Sequence, residues 1–316
     1  MYTSADLGGI MAMMPAFATA DASSIEARST IHTENLLAGV NKIIDDGINV
    51  IATAGSFGEF HTLLWEEFET LTRATVEAVR GRVPLFIGCT GLNSREVVRK
   101  MEVARAAGAR GVMVGVPFYF PSTVDNAVRF FRDIGKLFPE MAIMVYHNPT
   151  LHNVTLPVEA FTELAKIPNI VAMKDSHRDP VSVMRLMDIM KGRMSVFVYQ
   201  AQYFVYRDLG AAGFWSIDAW MGPAPLLALR DAVDKGESAR AKQITLDIAG
   251  AIIGPQSLSW RETASKISQV YAGYCNPGPL RPPFMEIPDS VDSNARLTAE
   301  YWNGLCKKYA RQGAKR

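Results

Sequence analysis

The sequence predicts an α/β fold, a (β/α)8 TIM barrel with additional C-terminal helices. Eight short apolar runs alternate with eight amphipathic segments along the first 236 residues. Several runs are apolar almost throughout, as is typical of parallel strands that are covered on both faces. No G-x-G-x-x-G turn follows the first run, which counts against a doubly wound sheet.

The predicted strands and helices follow one another in strict alternation. The strands are expected at Ile10–Met14, Asn49–Ala54, Val83–Cys89, Gly111–Val116, Ala142–Tyr146, Ile170–Lys174, Met194–Tyr199 and Gly213–Ile217. Several intervening segments end in glycine, which favours a helix C-terminus there, as at Gly47, Gly108 and Gly210. The helices are expected at Glu34–Asp46, Trp65–Arg80, Ser94–Ala107, Thr123–Phe138, Pro157–Lys166, Pro180–Lys191, Gln202–Leu209 and Pro223–Asp234.

After residue 236 the strand pattern stops. Three further helices are predicted, at Ala239–Ile253, Trp260–Tyr274 and Ser293–Tyr309. The prolines of the segment Asn276–Pro283 forbid regular structure between the last two. We therefore expect a barrel over residues 1–236 and a helical extension packed on it over residues 237–316.

The composition argues against several classes of partner. The formal net charge is +1, and no basic tract is dense enough to follow a phosphate backbone, so no nucleic-acid partner is expected. No apolar run reaches the roughly 18–20 residues of a membrane span, and no basic region leads into the apolar N-terminal segment. Three scattered cysteines do not form a disulfide framework, which predicts a cytoplasmic protein.

Lys174 is an outlier in its strand. It closes the run Ile170–Met173, where an apolar residue is expected, and a barrel places its active site at the carboxyl ends of its strands. Burial lowers the pKa of a lysine, and the neutral amine can attack a ketone. A second interpretation stays open from the pattern alone, namely that Lys174 extends outward or pairs with Asp175.

Two further strand ends carry candidate groups. Tyr146 ends the strand that precedes the Lys174 strand, so its hydroxyl can relay protons to the chemistry at Lys174. A tyrosine that caps the core would fit the same pattern. The turn Gly55–Glu59 offers backbone N–H groups and the Ser56 hydroxyl at the start of a helical segment, an arrangement that binds carboxylates.

No metal and no cofactor are expected. The five histidines form no H-x-x-x-H or H-E-x-x-H pair, and His147 and His152 flank one loop without a carboxylate between them. The sequence also lacks a P-loop, a G-x-S-x-G elbow and the kinase motifs.

Taken together, these segments resemble the dihydrodipicolinate synthase / N-acetylneuraminate lyase superfamily of class I pyruvate aldolases, over essentially the whole chain. Gly55–Glu59 is similar to its carboxylate loop, Tyr146–Pro149 to its Y-N-x-P segment and Gly278–Pro283 to its G-x-x-R-P-P segment. Lys174 stands 28 residues after Tyr146 (174 − 146), as the Schiff-base lysine does in that family.

The chain departs from the synthases of this superfamily. Phe57 replaces the second threonine of their carboxylate loop, and Thr150-Leu151-His152 stands where they carry an arginine. The chain looks closer to the trans-o-hydroxybenzylidenepyruvate hydratase-aldolases and their 2′-carboxybenzalpyruvate relatives. The segments that carry this likeness are Gly58–Glu67, Arg80–Pro84, Leu92–Val97, Tyr146–Pro149 and Phe214–Ser216.

This resemblance implies a mechanism on a small-molecule 2-keto acid. Water adds across the enone of an arylidene-pyruvate, Lys174 forms an imine with the ketone, and retro-aldol cleavage releases an aromatic aldehyde and pyruvate. In this scheme Tyr146 moves protons and Asn148 helps to place the water. Ser56 and the N–H of Phe57, in the loop that starts at Gly55, hold the carboxylate.

The resemblance also implies a homotetramer, in which Tyr119 lies near a neighbouring subunit's site. Trp215, at the end of the last strand, is flat and bulky, which suits an aryl group. Arg261 admits two interpretations: it pairs with an ortho carboxylate of the substrate, or it is a surface arginine near Glu262.

Two other functions compete with the hydratase-aldolase. One is a lyase, synthase or dehydratase of the same superfamily for an aliphatic or sugar-derived keto acid, which Phe57, Phe118, Phe120 and Trp215 disfavour because a polyol needs polar partners. The other is a keto-acid binder without catalysis, which has no need of an imine-forming amine.

Overall fold

Eight parallel strands close into a barrel in the computed structural model, which describes residues 1–175, 177–190, 192–254 and 258–310, without the side chains of residues 258, 259 and 261. Each strand pairs with the next, and the eighth pairs with the first. The strands are Gly9–Met13 (β1), Val50–Thr53 (β2), Leu85–Gly88 (β3), Gly111–Val114 (β4), Ala142–Tyr146 (β5), Ile170–Lys174 (β6), Ser195–Tyr199 (β7) and Gly213–Ser216 (β8). The predicted fold class and its eight strands are confirmed.

The helices surround this barrel and continue beyond it. Around the strands lie Thr33–Asp45 (α1), Trp65–Val79 (α2), Ser94–Ala106 (α3), Val124–Leu137 (α4), Pro149–His152 (α5), Phe161–Leu164 (α6), Pro180–Met190 (α7), Tyr203–Tyr206 (α8) and Ala224–Asp234 (α9). Ser238–Gly250 (α10), Leu258–Ala272 (α11) and Asp289–Lys308 (α12) follow the last strand. The division into residues 1–236 and 237–316 stays a prediction.

Four of the described helices, α1, α3, α4 and α5, begin at a residue whose side chain caps the first turn. Asn93 Oδ1 accepts hydrogen bonds from the N–H groups of Arg95 and Glu96 at 3.1 and 3.0 Å, and Thr123 Oγ1 accepts one from Asn126 N at 3.2 Å. These bonds satisfy N–H groups that have no partner within the first turn of a helix.

Several helices differ from the predictions. The helix expected at Gln202–Leu209 comprises only the four residues of α8, after a 3-10 turn at Gln200–Gln202. Between β5 and β6 the expected helix Pro157–Lys166 is a short 3-10 turn followed by the four-residue α6, and α5 was not expected at all. Pro149 accounts for the start of α5, because proline is suited to the first positions of a helix. The last helix begins at Asp289 rather than at Ser293, directly after Pro288.

Two apolar layers hold the barrel together. The larger one lies between strands and helices, and the smaller one fills the barrel interior. The interior contains four methionines together with Phe86 and Phe197; the methionines are Met11, Met13, Met113 and Met144. Flexible thioether side chains fill the irregular space above and below the rings, so the interior is a packed core.

Gly88 marks a close approach between β3 and the end of β2. A Cβ at this position would lie 2.2 Å from the carbonyl oxygen of Ala54, which is backbone and cannot rotate away. We expect Gly88→Ala to lower the free energy of unfolding by about 2–3 kcal/mol, measured by urea denaturation. Gly304→Ala is the matched control: a Cβ there meets nothing within 4 Å in α12, so it should stabilise the protein slightly. Equal stability of the two variants would contradict this account of the contact.

None of the helices in the described ranges combines the length and the apolarity needed to cross a lipid bilayer.

Candidate active site

The carboxyl ends of β5, β6 and β8 bring Lys174, Tyr146 and Trp215 together. Tyr146 and Lys174 are partners in the register of β5 and β6, and both are buried. Lys174 Nζ lies 4.6 Å from the centroid of the Tyr146 ring and 3.6 Å from that of the Trp215 ring. Of the two interpretations of Lys174, the structure supports the inward one, because its amine lies between two aromatic faces at the barrel mouth.

The Tyr146 hydroxyl is the centre of a short chain of polar groups. It lies 2.9 Å from Ser56 Oγ, and Asn148 Nδ2 donates to it over 3.4 Å. Asn148 Oδ1 in turn accepts from Leu151 N at 3.3 Å and so caps α5. The structure therefore brings together four residues that the sequence proposed separately: Lys174, Tyr146, Asn148 and Ser56.

The segment Gly55–Glu59 is a series of turns, so the prediction that it starts a helical segment is wrong. Ser56 O accepts from Glu59 N at 3.0 Å, and Glu59 has a left-handed φ of 54°, which a continuous helix excludes. The segment packs tightly: a Cβ on Gly55 would lie 3.1 Å from Met113 Cε. The helix α2 begins only at Trp65.

A cavity of about 370 Å³ opens beside Ser56 and Phe57. Its walls are largely aromatic and apolar, and they include Phe60, His61, Phe118, Leu151, His152, Leu280 and Phe284. This volume lies in the range of small-molecule sites, roughly 300–1,000 Å³. Of these wall residues, the sequence pointed to Phe118 as part of an apolar site, but it did not assign Phe60, His61, Leu280 or Phe284 to the site.

One side of the cavity is charged. Glu59 Oε2 accepts from Lys266 Nζ at 2.6 Å and from Arg281 Nη1 at 2.8 Å, and all three groups are largely buried. Burial lowers the pKa of Lys266 to about 8, against the opposite effect of the Glu59 charge. Lys266, Glu262 and Thr263 reach the cavity from α11, so this C-terminal helix forms part of the site.

The remaining predicted site residues lie elsewhere. Trp215 is not among the described residues that line the cavity. Its ring packs on Lys174, and its Nε1 donates to Asp175 O at 3.0 Å. Tyr119 is 73% exposed and stacks edge to face with Phe120. Arg261 lies in α11, and its side chain is outside the described part of the structure.

His152 is a neutral residue at the heart of the site. Its ring meets the Tyr146 ring edge to face, with centroids 4.8 Å apart, and its side chain lines the cavity. Burial lowers the pKa of His152 to about 4, so the ring is uncharged at neutral pH. No pattern in the sequence predicts this ring beside Tyr146; His152 stands out there only as one of two histidines that flank a loop and as part of a segment that lacks an arginine.

This shifted pKa makes the stability of the protein depend on pH. The unfolded chain binds a proton at His152 near pH 6.5, whereas the folded chain does so only near pH 4. The stabilisation is complete above pH 6.5, and about 3 kcal/mol of it is lost as the pH falls to 4. Denaturant unfolding of wild type and His152→Gln at several pH values measures this difference.

The test of His152 depends on how the free energy of unfolding changes with pH, not on its absolute value. Burial raises the pKa of Asp218 to about 6, which gives the opposite trend between pH 4 and 6 in both proteins. A free-energy difference between wild type and His152→Gln that stays constant from pH 7 to 4 would show that His152 is not kept neutral by burial.

His147, Asp175 and His177 offer three ligand atoms within 4.8 Å of one another, but their chemistry does not fit a metal. Leu156 N donates to His147 Nε2 at 2.9 Å, so the proton of the neutral ring is on Nδ1, the atom that faces Asp175. The Arg178 guanidinium also lies 2.7 Å from Asp175 Oδ1, where a cation would bind. Although burial alone would raise it, hydrogen bonds from both histidines and the Arg178 charge hold the pKa of Asp175 well below its usual range.

The chain is similar to a known protein family and to two hydratase-aldolases. A model of the dihydrodipicolinate synthetase family matches residues 14–290. A trans-O-hydroxybenzylidenepyruvate hydratase-aldolase of Pseudomonas aeruginosa is 32% identical over 327 residues, covering 98% of this chain and 96% of that protein. A trans-2′-carboxybenzalpyruvate hydratase-aldolase of Nocardioides sp. (strain KP7) is 27% identical, covering 97% of this chain and 96% of that protein.

The solved structures agree with the sequence relatives. The structure of PhdJ bound to a substrate intermediate superposes with a TM-score of 0.92 at 27% identity, covering 98% of this chain and 99% of that one. The resemblance inferred from the motifs is confirmed by the family model and by these full-length relatives.

Proposed function

The chain belongs to the dihydrodipicolinate synthetase family, and we propose that it is a hydratase-aldolase that cleaves an arylidene-pyruvate to an aromatic aldehyde and pyruvate. Its full-length relatives are named as hydratase-aldolases, and the chain is accordingly a carbon–carbon lyase. The observation that carries the proposal is the aromatic cavity lined by Ser56 and His152, both of which contact Tyr146, the neighbour of Lys174.

We assign the covalent step to Lys174. Its amine attacks the ketone carbon, the ketone oxygen leaves as water, and the protonated imine withdraws electrons from the neighbouring carbons. The hydroxyl on the hydrated carbon loses its proton as the carbon–carbon bond breaks, which releases the aldehyde and leaves an enamine. Protonation of the enamine carbon and hydrolysis of the imine then release pyruvate and restore the amine.

We assign the proton transfers to Tyr146. Its hydroxyl is 2.9 Å from Ser56 Oγ and also accepts a hydrogen bond from Asn148, so it has partners that can pass or stabilise a proton. Asn148 is in place to orient the water or the substrate hydroxyl. Ser56 and the backbone N–H of Phe57 would bind the pyruvate carboxylate at the cavity entrance.

The aryl group would occupy the cavity walled by Phe60, Phe118 and Phe284. Aromatic rings favour edge-to-face contacts, and the pair Phe60–Phe118 already shows one, with centroids 5.9 Å apart. Trp215, which packs on the Lys174 amine, would contact the imine rather than the aryl group. The assay below, with a carboxylated and a hydroxylated substrate, tests whether Arg261 pairs with an ortho carboxylate.

An absorbance assay tests this function. The protein is mixed separately with trans-o-hydroxybenzylidenepyruvate and 2′-carboxybenzalpyruvate, and loss of the enone absorbance and release of pyruvate are followed. We expect turnover of at least one compound. If Arg261 binds the carboxylate, Arg261→Ala lowers kcat/KM for the carboxylated compound alone. No turnover of either, with pyruvate still trapped by borohydride, would contradict the aromatic substrate and favour an aliphatic or sugar-derived keto acid.

We further propose a cytoplasmic homotetramer. The exposed pair Tyr119 and Phe120, 73% and 76% accessible in the isolated chain, supports a contact with a neighbouring subunit near the barrel mouth. All three cysteines are free, which suits a reducing compartment. Light scattering after size exclusion measures the oligomer, and a monomer would contradict it.

A further inference from the structure

A buried polar cluster lies behind Lys174 and Tyr146, on the helix-facing side of β5 and β6. Successive side chains of a strand point to opposite faces. Tyr146 and Lys174 point into the barrel, so His147 and Asp175, which follow them directly, point outward. We call His147, Asp175, His177 and Arg178 the Asp175 cluster; all except the exposed His177 are at most 5% exposed.

Asp175 is the centre of this cluster. Its Oδ1 atom lies 2.7 Å from Arg178 Nη1, 2.8 Å from His177 Nδ1 and 3.0 Å from His147 Nδ1. Three donors on one carboxylate oxygen, two of them from buried side chains, fix the orientation of that carboxylate strongly. Removal of the negative charge would leave the buried Arg178 guanidinium without its counter-charge, which is costly.

Two members of the cluster, His147 and Arg178, are hydrogen-bonded to the backbone of Leu156. Leu156 N donates to His147 Nε2 at 2.9 Å, and Leu156 O accepts from Arg178 Nη2. The backbone oxygen of Arg178 accepts from the hydroxyl of Tyr206 at 2.8 Å. Because Leu156 offers an acceptor to Arg178 and a donor to His147, both side chains have a single favourable placement.

The same cluster connects the three strand ends that carry the site. His147 N donates to Lys174 O at 3.1 Å, and the His147–Asp175 side-chain bond repeats this cross-strand link on the outer face. Asp175 O accepts from Trp215 Nε1 at 3.0 Å, which ties in β8. A shift of Asp175 therefore moves the backbone of Lys174 relative to both Tyr146 and Trp215.

We propose that the Asp175 cluster sets the distance between the Lys174 amine and the Tyr146 hydroxyl, with Asp175 and His147 as positioning residues for imine formation. This inference rests on the proposed function, because imine formation at Lys174 is the step that is positioned. During that step the ketone oxygen must gain a proton as the C–N bond forms and leave as water when the C=N bond is made. A displacement of about 1 Å between the amine and its proton relay slows such a step by up to 100-fold.

Asp175→Asn is the first test. It keeps the size of the side chain but removes the charge that orders three donors. We expect the rate of borohydride trapping of pyruvate on Lys174, and kcat for cleavage, to fall about 10- to 100-fold while KM changes less than threefold. Asp231→Asn is the control, since its ion pair with Arg230 is at 2.7 Å and Arg230 also bonds to Gly47 O, before β2 and far from the barrel mouth.

Two variants of His147 separate positioning from mere packing. An asparagine amide can replace the Nδ1 donor toward Asp175, whereas a glutamine amide can replace the Nε2 acceptor for Leu156 N. We expect His147→Asn to keep trapping within about threefold of wild type and His147→Gln to lose tenfold or more. A purely structural role predicts the reverse order, because glutamine fills more of the space left by the ring.

The outcomes distinguish this inference from the proposed function. Wild-type protein that traps pyruvate, together with a folded Asp175→Asn that traps it at the same rate, would overturn the positioning role and leave the aldolase chemistry intact. If Asp175→Asn does not fold, the order of the two His147 variants decides. If wild type traps nothing, the proposed function fails and the positioning role fails with it.

Discussion

Replacing Lys174 by alanine is expected to lower kcat/KM for an arylidene-pyruvate by at least about 10⁴-fold. In the proposed mechanism the imine is the electron sink for carbon–carbon cleavage, and alanine offers no nitrogen to form it. The Lys174 amine is buried between the rings of Tyr146 and Trp215. A substitution at another position would not place an amine there. Hydration of the enone, which can proceed without the imine, should be affected less than cleavage.

Mass spectrometry after borohydride reduction with pyruvate checks this directly. Wild type should carry one pyruvate adduct per chain, on the peptide that contains Lys174, and Lys174→Ala should carry none. Lys100→Met is the matched control, because Lys100 is also buried and its Nζ bonds to Thr90 O at 2.9 Å and to Glu96 at 2.9 Å outside the barrel interior. An adduct that persists in Lys174→Ala would move the nucleophile to another amine.

Most of the fold could be predicted from the sequence because most strands and helices have a recognisable local pattern of apolar and polar residues. The runs Ala142–Tyr146 and Ile170–Lys174 match β5 and β6 to the residue, since both consist of apolar residues closed by a polar one at the barrel mouth. The connection between these strands was harder. Its helices have only four residues each, and segments so short carry too little periodicity to be recognised.

The candidate site was predictable only where a residue broke a local rule. Lys174 was found because a charged side chain ends an apolar strand, and Ser56 because it lies in a glycine-rich turn after β2. His152 and Phe284 obey local rules and meet at one cavity only after the chain has folded. The pairing of Glu59 with Lys266 spans 207 residues, a separation over which sequence pattern alone gives no information on contact.

Phe57 is part of the aromatic wall of the cavity. The Phe57 side chain is 5% exposed, belongs to the packed interior and also lines the cavity. In the proposed mechanism, this bulky apolar residue would narrow the site beside the pyruvate carboxylate, and it continues the aromatic wall toward Phe60. A phenylalanine at this position is consistent with the flat apolar substrate proposed above, as is the neutral ring of His152 on the same cavity wall.

Replacing Tyr146 by phenylalanine should lower kcat by about 10²–10⁴-fold, the usual contribution of one general acid–base group. The ring remains, so its contacts with Lys174 and His152 persist and the variant should fold. Steady-state cleavage measures kcat, and borohydride trapping measures imine formation separately. Tyr2→Phe is the control, because the Tyr2 hydroxyl accepts from Leu85 N at the start of β3, at the opposite end of the barrel.

Ser56 determines how the Tyr146 result is interpreted. If Ser56 acts by passing protons through the Tyr146 hydroxyl, 2.9 Å away, then Ser56→Ala should add little to the loss already caused by Tyr146→Phe. If Ser56 mainly binds the carboxylate, its loss raises KM, and the two effects multiply in the double variant. Full activity of Tyr146→Phe would remove the phenol from the mechanism altogether, and Asn148 and bound water would then have to carry the proton transfers that cleavage requires.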